Sequence, residues 1–203
     1  MTLDYVKVIH FFFPPSDDEL LLQRTSVEQF ISLAEPERTR NYIHLLPYNE
    51  PPVKAAIHLN KYHYHTAAQQ LLAAVLAKHL NTIPTPTYLV PIPLSGKRLR
   101  QRGYNQVHEV LKWVSLNNTE HTLSANLLYR TRNTTPQTTL LRTERLKNMR
   151  GAFAVPKRQQ TRVAGAHIIL LDDVYTTGAT FTAARLALLS HKPASVHCIA
   201  LAH

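Results

Sequence analysis

Cysteine is almost absent from this sequence of 203 residues, in which Cys198 is the only one. A single thiol cannot form a disulfide within the chain, and no cysteine zinc site can be built from it. Cys198 lies in the apolar run 196–201, which favours a buried structural thiol over a nucleophile.

Long apolar runs are also missing, since none approaches the roughly 18–20 residues that a membrane-spanning helix needs. No secretory signal is predicted, because Asp4 and Lys7 interrupt the first residues and no small-residue cleavage site follows. We therefore expect a cytoplasmic protein with no membrane span. The sequence shows no internal repeat, and its length suits one well-buried domain with at most a short appendage.

Acidic residues are scarce in the centre of the chain. Between Lys97 and Arg162 there are fourteen Lys or Arg and three Glu, a balance of +11. The rest of the chain has nine basic and ten acidic residues, so the whole excess in the formal net charge of +10 falls in this one stretch. Such a concentration indicates a site for phosphates or for a nucleic-acid backbone.

The last forty residues predict a βαβ unit. The apolar run 167–171 is typical of a central parallel strand, and residues 172–179 follow it as a loop. A helix rich in Ala and Leu is expected at 180–190, before a second strand at 196–202. Together with the earlier alternation of elements, this predicts an α/β fold with a doubly wound, mainly parallel sheet.

Two parts of the chain are distinguished by their patterns. Residues 1–47 are expected to form a small N-terminal appendage, with a strand at 5–13 and a helical stretch before Pro36. Residues 48–203 are expected to form the main domain. Its predicted upstream elements are helices at 53–59, 66–80 and 105–116 and a strand at 88–92.

Two adjacent carboxylates, Asp172 and Asp173, directly follow the predicted central strand. In open α/β sheets, ligands bind beyond the carboxyl ends of the strands. Packing does not explain the pair, because ionised groups resist burial without partners. The two carboxylates suit vicinal hydroxyls or a divalent cation.

The residues after the carboxylates suit an anion. Gly178 can adopt a positive φ and lets a ligand approach the backbone, and the next helix presents free N–H groups and the positive end of its dipole. A sugar 5-phosphate has hydroxyls at one end and a phosphate at the other, as this segment requires. The alternative is an ordinary strand-to-helix turn capped by Asp and Thr, but two carboxylates, three threonines and a glycine are grouped here. Neither the P-loop motif nor GxGxxG occurs in the chain.

Residues 170–180 resemble the phosphoribosyl diphosphate signature of type I phosphoribosyltransferases. The segments 90–106 and 135–153 resemble the ComF family, a group of competence-protein relatives, and 52–62 is a weaker match. The resemblance covers 48–203 in a consistent order.

The chain departs from many ComF relatives because it lacks their four-cysteine zinc ribbon. His58, His63 and His65 are conceivable replacement ligands. Nothing nearby completes a four-ligand set, so solvated or core histidines are expected instead.

The resemblance implies a role for each part of the site. Asp172 and Asp173 are the catalytic residues, which hold the ribose hydroxyls and bind Mg²⁺. A phosphate loop wraps the 5-phosphate with backbone amides. Its residues are Val174, Tyr175, Thr176, Thr177, Gly178, Ala179 and Thr180.

Two basic segments complete the implied site. The loop between Pro93 and Gly103 faces the diphosphate, with a solvated basic turn as the alternative. Its cations are Lys97, Arg98, Arg100 and Arg102. Residues 133–150 correspond to a mobile hood, whose candidate contacts to the leaving group are Arg142, Arg145 and Lys147.

The implied function is transfer of phosphoribose from phosphoribosyl diphosphate to an unidentified acceptor through an oxocarbenium-like transition state. The alternative is a non-catalytic module that binds phosphoribosyl diphosphate or single-stranded DNA during DNA uptake, with which the family is associated. Few aromatic side chains accompany the basic stretch for base stacking. They are Tyr104, Trp113, Tyr129 and Phe153. A homodimer is a further expectation.

Overall fold

The computed structural model describes residues 14–39, 42–83, 86–117, 120–132 and 151–203. The strands are β1 (Glu37–Arg38), β2 (Ile43–Leu46), β3 (Thr87–Pro91), β4 (His121–Leu123), β5 (Tyr129–Arg130), β6 (Phe153–Ala154), β7 (His167–Val174) and β8 (Ser195–Ala202). The helices are α1 (Asp17–Gln23), α2 (Val27–Ser32), α3 (Pro51–Tyr62), α4 (Thr66–Leu80), α5 (Gly96–Arg102), α6 (Gln106–Asn117), α7 (Gln160–Val163) and α8 (Ala179–Leu189), and a 3-10 turn (Lys157–Gln159) precedes α7.

A six-stranded sheet organises the described residues, in the order β1-β2-β8-β7-β3-β4. Its strands are parallel except for β1, which pairs antiparallel with β2. Strands β5 and β6 form a separate antiparallel pair. The predicted α/β class with a mainly parallel sheet is confirmed.

Helices cover both faces of the sheet. On one face α3, α4 and α6 pack against Ile169 and Leu171, and on the other α8 packs against Ile168 and Leu170. These four residues are completely buried, which accounts for the uninterrupted apolar run in β7. The fold is therefore doubly wound, as predicted.

The segment before residue 47 contributes to the same sheet and core. Its predicted helical stretch is two short helices, because Ser26 interrupts the first and caps the second in a capping box with Gln29. Leu22 of α1 and Phe30 of α2 are buried in the main core, and β2 pairs with β8. The strand predicted at 5–13 lies outside the described residues.

Two predicted loops have regular structure. Strand β7 continues through Asp172, Asp173 and Val174, because Asp172 and Val174 are still in register with Ala200 and Ala202 of β8. The basic loop after Ile92 is mainly the helix α5. Ser95 caps the first turn of α5, and Gly103 ends the helix with a left-handed φ of 79°.

Among the described residues, no helix is both long enough and apolar enough to cross a membrane.

Candidate functional site

The carboxylate pair, Asp172 and Asp173, stands at the carboxyl end of β7, next to the end of β3. The Ile92 amide donates to the Leu171 carbonyl at 2.8 Å, which ties the chain after β3 to this point of the sheet. Alternation along a strand starts the two side chains on opposite faces, but their carboxyl groups remain close enough for the charge of Asp173 to act on Asp172. Asp173 faces α3 and α6 and is buried, whereas Asp172 is partly exposed.

Asp173 is held by partners from two helices. Gln106 Nε2 of α6 donates to Asp173 Oδ2 at 2.9 Å, and Lys61 Nζ of α3 lies 3.2 Å from the same oxygen. Asp173 Oδ1 accepts from the Val174 amide at 2.8 Å. Both carboxylate oxygens are thus occupied, and the side chain has one defined orientation.

Asp172 has a different environment. Its Oδ1 accepts from the Asp173 amide at 3.0 Å. Desolvation by the surrounding protein, and then the negative charge of Asp173, raise the pKa of Asp172 to about 8. These two causes favour the protonated form of the carboxyl, and a cation bound beside it would favour the charged form.

Two positive groups act electrostatically with Asp172: Lys61 of α3 and Arg130 of β5. Burial lowers the pKa of Arg130, the charge of Arg98 lowers it further, and the charge of Asp172 opposes the shift. The guanidinium also lies 5.4 Å from the centre of the Phe153 ring. Arg98 and Asp172 are therefore both close enough to Arg130 to affect its ionisation.

The phosphate loop, residues 174–180, joins β7 to α8. Gly178 is the N-cap of α8 with a φ of 72°, and no side chain caps this helix in the described chain. A Cβ at position 178 would lie 3.0 Å from two atoms of the Tyr175 ring, so only glycine fits there without displacement. The first N–H groups of α8 are consequently available to an anion.

Helix α5 directs part of its charge towards the carboxylates. Arg102 Nη1 donates to Gln106 Oε1 at 2.8 Å, and Gln106 in turn binds Asp173. The Arg102 guanidinium also lies 5.4 Å from the centre of the Tyr62 ring. Lys97 and Arg100 are exposed, and neither contacts the carboxylate pair within the described residues.

Three residues of this site were missed by sequence reasoning. Lys61 and Gln106 lie in segments that carried the family resemblance, but no role was assigned to them. Arg130 had no sequence signal, because its position depends on the short strand β5. The proposed hood residues Arg142, Arg145 and Lys147 lie outside the described residues.

Cys198 and His58 were considered from the sequence as a nucleophile and as a zinc ligand, and the structure shows what surrounds each of them. Cys198 is buried, and burial raises the pKa of its thiol to about 12, as expected for a structural cysteine. His58 Nδ1 lies 2.8 Å from Asp18 Oδ2. Among the described side chains, no group of three or more His, Cys, Asp or Glu could hold a metal ion.

Comparison with known proteins shows what this α/β chain resembles. It is 28% identical over 156 residues to the DNA utilization protein YhgH of Salmonella typhi, covering 72% of this chain and 65% of that protein. It is 38% identical over 114 residues to the competence protein ComFC of Bacillus subtilis, covering 56% and 43%. The competence protein F of Haemophilus influenzae is 30% identical over 120 residues, covering 57% and 50%. No family model matches the chain.

The chain is a relative of ComF-type competence proteins, which confirms the resemblance stated from the sequence. It spans less than two thirds of the length of these three relatives.

Solved structures give weaker similarities. The hypoxanthine phosphoribosyl transferase of Trypanosoma cruzi is 12% identical with a TM-score of 0.41, covering 72% of this chain and 64% of that one. The hypoxanthine-guanine phosphoribosyl transferase of L. donovani is 15% identical with a TM-score of 0.41, covering 73% and 68%. Similarity at this level carries no information on activity.

Proposed function

We propose that this protein binds phosphoribosyl diphosphate together with Mg²⁺ and transfers phosphoribose to an acceptor nucleophile. The observation that carries the proposal is the pairing of two features within one strand–loop–helix segment. The carboxylate pair ends β7, and the uncapped N-terminus of α8 begins a few residues later. A sugar phosphate likewise has hydroxyls at one end and an anion at the other. A cytoplasmic location belongs to the same proposal.

Different residues of the chain bind different parts of the substrate. The carboxylate pair accepts hydrogen bonds from the ribose hydroxyls, and the N–H groups at the start of α8 donate to the 5-phosphate. Arg102 and Arg98 of α5 provide positive charge for the diphosphate. Lys61 and Gln106 hold Asp173 in a fixed rotamer, so that little reorganisation is needed when the substrate binds.

Mg²⁺ fits this donor set. It is usually held by one or two carboxylates, with water and substrate oxygens completing its shell. Asp172 and Asp173 are two such carboxylates, and a cation beside them would favour the charged form of Asp172, which desolvation and the charge of Asp173 disfavour. When bound, the ion would neutralise charge that develops on the diphosphate.

In the proposed reaction, the bond between the anomeric carbon and a diphosphate oxygen breaks as the acceptor forms its bond to that carbon. Diphosphate leaves with the electron pair, and the acceptor's proton passes to solvent or to a base on the acceptor side. Arg98 and Arg102 favour this step by stabilising the charge on the leaving group. The described residues do not identify the acceptor.

Calorimetric titration with phosphoribosyl diphosphate, with and without Mg²⁺, tests the binding proposal. The wild type should bind in the micromolar range only with Mg²⁺, and the Asp172→Asn/Asp173→Asn variant should lose this binding. Asp17→Asn/Asp18→Asn is the matched control, because it removes the same charge from an adjacent acidic pair on α1. Equal binding by the carboxylate variant and the wild type would refute the site.

Catalysis is tested separately by measuring diphosphate release in the presence of a panel of nucleobases and other nitrogen nucleophiles. Release above the rate without acceptor, lost in the carboxylate variant, supports a transferase. Tight binding of phosphoribosyl diphosphate without any acceptor-dependent release indicates a non-catalytic binding module.

Single-stranded DNA is the second candidate ligand, favoured by the relatives named for DNA utilization and competence and by the basic stretch 97–162. Of its aromatic side chains, Tyr129 is exposed and available for stacking, whereas Phe153 is buried and Trp113 is partly buried and donates to Gln69. Binding of an oligonucleotide should weaken steeply with salt if phosphates are contacted. Affinity that does not change with salt would argue against this candidate.

A further inference from the structure

A pocket of about 170 Å³ opens at the edge of the sheet beside β8. Strand β2 is in register with β8 only from Ile199 onwards, so the amino-terminal half of β8 borders the pocket. Val196 and Cys198 form part of its lining, together with residues of the β1–β2 hairpin and of α8. No acidic side chain of the described residues contributes to this lining.

Among the described residues that line the pocket, three are basic and come from three elements: Arg38 of β1, Arg185 of α8 and His197 of β8. Burial lowers the pKa of His197, and the charges of Arg38, His167 and Arg185 lower it further. The nearest acid along the chain, Glu37, lies 3.5 Å from His44 instead.

Both arginines lack a counter-charge. Neither Arg38 nor Arg185 has a carboxylate within 4.0 Å in the described parts of the chain. The hydrogen bond of Arg185 is a long one, from Nε to the Val196 carbonyl at 3.5 Å. Converging guanidinium groups repel each other, and an anion between them removes that repulsion. The planar donors of arginine match phosphate oxygens.

The pocket is distinct from the carboxylate site. Val196 is in register with Ile168 near the start of β7, whereas Asp172 is in register with Ala200. Arg185 lies six residues into α8 from its first residue, about 9 Å along the helix from the phosphate loop. A ligand in the pocket therefore does not occupy the carboxylate site.

We propose that Arg38, Arg185 and His197 form a second anion site, which binds the phosphate group of a small molecule. The volume of about 170 Å³ is below the roughly 300 Å³ at which sites for drug-sized ligands begin, so a phosphate with a small substituent fills it. The Tyr42 ring closes one side, because its hydroxyl is fixed 2.8 Å from Thr182 Oγ1.

NMR titration of the His197 imidazole with inorganic phosphate tests this proposal, because the readout belongs to the pocket alone. His197→Gln assigns the ring signal. Phosphate at millimolar concentration should shift the signal saturably and raise the pH at which His197 titrates. Arg185→Gln and Arg38→Gln should each weaken phosphate binding at this signal at least tenfold. Arg38 is exposed on an edge strand, so its substitution leaves the core intact.

Two controls separate this site from others. Arg24→Gln removes one exposed arginine elsewhere and should leave the response unchanged. Gly178→Ala, which disturbs the phosphate loop, should also preserve it. The proposal is overturned if phosphate leaves His197 unaffected, or if the Arg38 and Arg185 variants respond like the wild type.

Parallel titrations with ribose 5-phosphate and with a 5′-phosphorylated oligonucleotide distinguish the sources of the phosphate group. The proposal requires that free phosphate or ribose 5-phosphate produce the His197 response. A response to the oligonucleotide alone would overturn it in favour of a nucleic-acid contact.

Discussion

Two neighbouring residues of the same type, Asp172 and Asp173, have different chemical environments in this protein. Asp173 is neutralised by Lys61 and fixed by Gln106, whereas Asp172 is desolvated beside a second negative charge. Without a bound cation, the charged form of the Asp172 carboxylate destabilises the folded protein. A cation bound beside it removes this destabilisation.

Asp172→Asn should therefore stabilise the protein without ligand at alkaline pH. An ordinary aspartate has a pKa near 3.8, so between that pH and about 8 the unfolded chain loses this proton before the folded one, and stability falls as pH rises. Asparagine does not ionise and removes the loss. One pKa unit is about 1.4 kcal/mol, and one kcal/mol is about 2–4 °C in Tm at this size. We expect Tm to rise by roughly 5 °C or more at pH 8.5 and to change little at pH 4, measured by differential scanning calorimetry.

Asp173→Asn is the matched comparison, and its effect should have the opposite sign. The substitution leaves Lys61 without its ion-pair partner in a partly buried position. Tm at pH 8.5 should fall rather than rise. A similar rise for both variants would show that the two carboxylates share one environment, contrary to the structure.

Gly178 and Gly165 allow the steric demand of the phosphate loop to be measured. Both have a positive φ, 72° and 71°, but an added Cβ meets the Tyr175 ring only at position 178 and nothing within 4 Å at position 165. Alanine costs about 1–2 kcal/mol at either position through its backbone. Gly178→Ala should cost more in urea unfolding and should also weaken phosphoribosyl diphosphate binding at least tenfold. Equal costs at the two positions, with binding unchanged, would contradict the proposed loop.

The sequence predicted the location of the carboxylate pair better than it predicted the partners of the pair. A paired carboxylate after a buried apolar run is a local signal, and the structure places it at the carboxyl end of β7. Gln106 lies 67 positions from Asp173 in the chain. No local pattern shows which polar side chain from another helix will reach a given carboxylate, because the packing of whole elements decides it.

At the scale of elements, α5 differs most from the sequence prediction. Its seven residues include four cations and no buried side chain, so it has no apolar stripe by which a helix is recognised. Its ends define it instead: Ser95 accepts from the Arg98 amide, and Gly103 provides the left-handed residue at its C-terminus.

Ser95→Ala should loosen α5 and weaken substrate binding with it. Loss of an N-cap costs about 1 kcal/mol, which is large for a helix of two turns. Amide exchange over residues 98–103 should become faster, and affinity for phosphoribosyl diphosphate should fall several-fold. Ser16→Ala removes the same kind of cap from α1 and should leave affinity unchanged. Unchanged exchange in α5 would show that the cap does not hold it.

At the scale of the whole molecule, the sequence predicted the class of the sheet but not its strand order. The βαβ unit of β7, α8 and β8 is local, and its strands pair as neighbours. Strand β2 joins β8 from a distant part of the chain, and four apolar or partly apolar residues there gave no indication of their partner. Such pairing depends on the finished hydrophobic core.

Phe30→Ala tests whether the N-terminal helices and the sheet unfold as one unit. Phe30 is 0% exposed in the main core, so truncation should cost about 3–5 kcal/mol. Fluorescence of Trp113, on α6, and far-ultraviolet circular dichroism should report the same lowered urea midpoint. Val27→Ala on the same helix, where the side chain is 44% exposed, should change stability little. Separate transitions for the two probes would indicate independent units.

The place of β8 in the sheet has a consequence for synthesis on the ribosome. Strand β8 lies between β2 and β7, although it is the last of these three to be translated. Strand β2 cannot acquire its parallel neighbour, and β7 remains open along one side, until residues 195–202 have left the exit tunnel. Until then the nascent chain exposes the edges of β2 and β7, and the sheet closes only after β8 has been added.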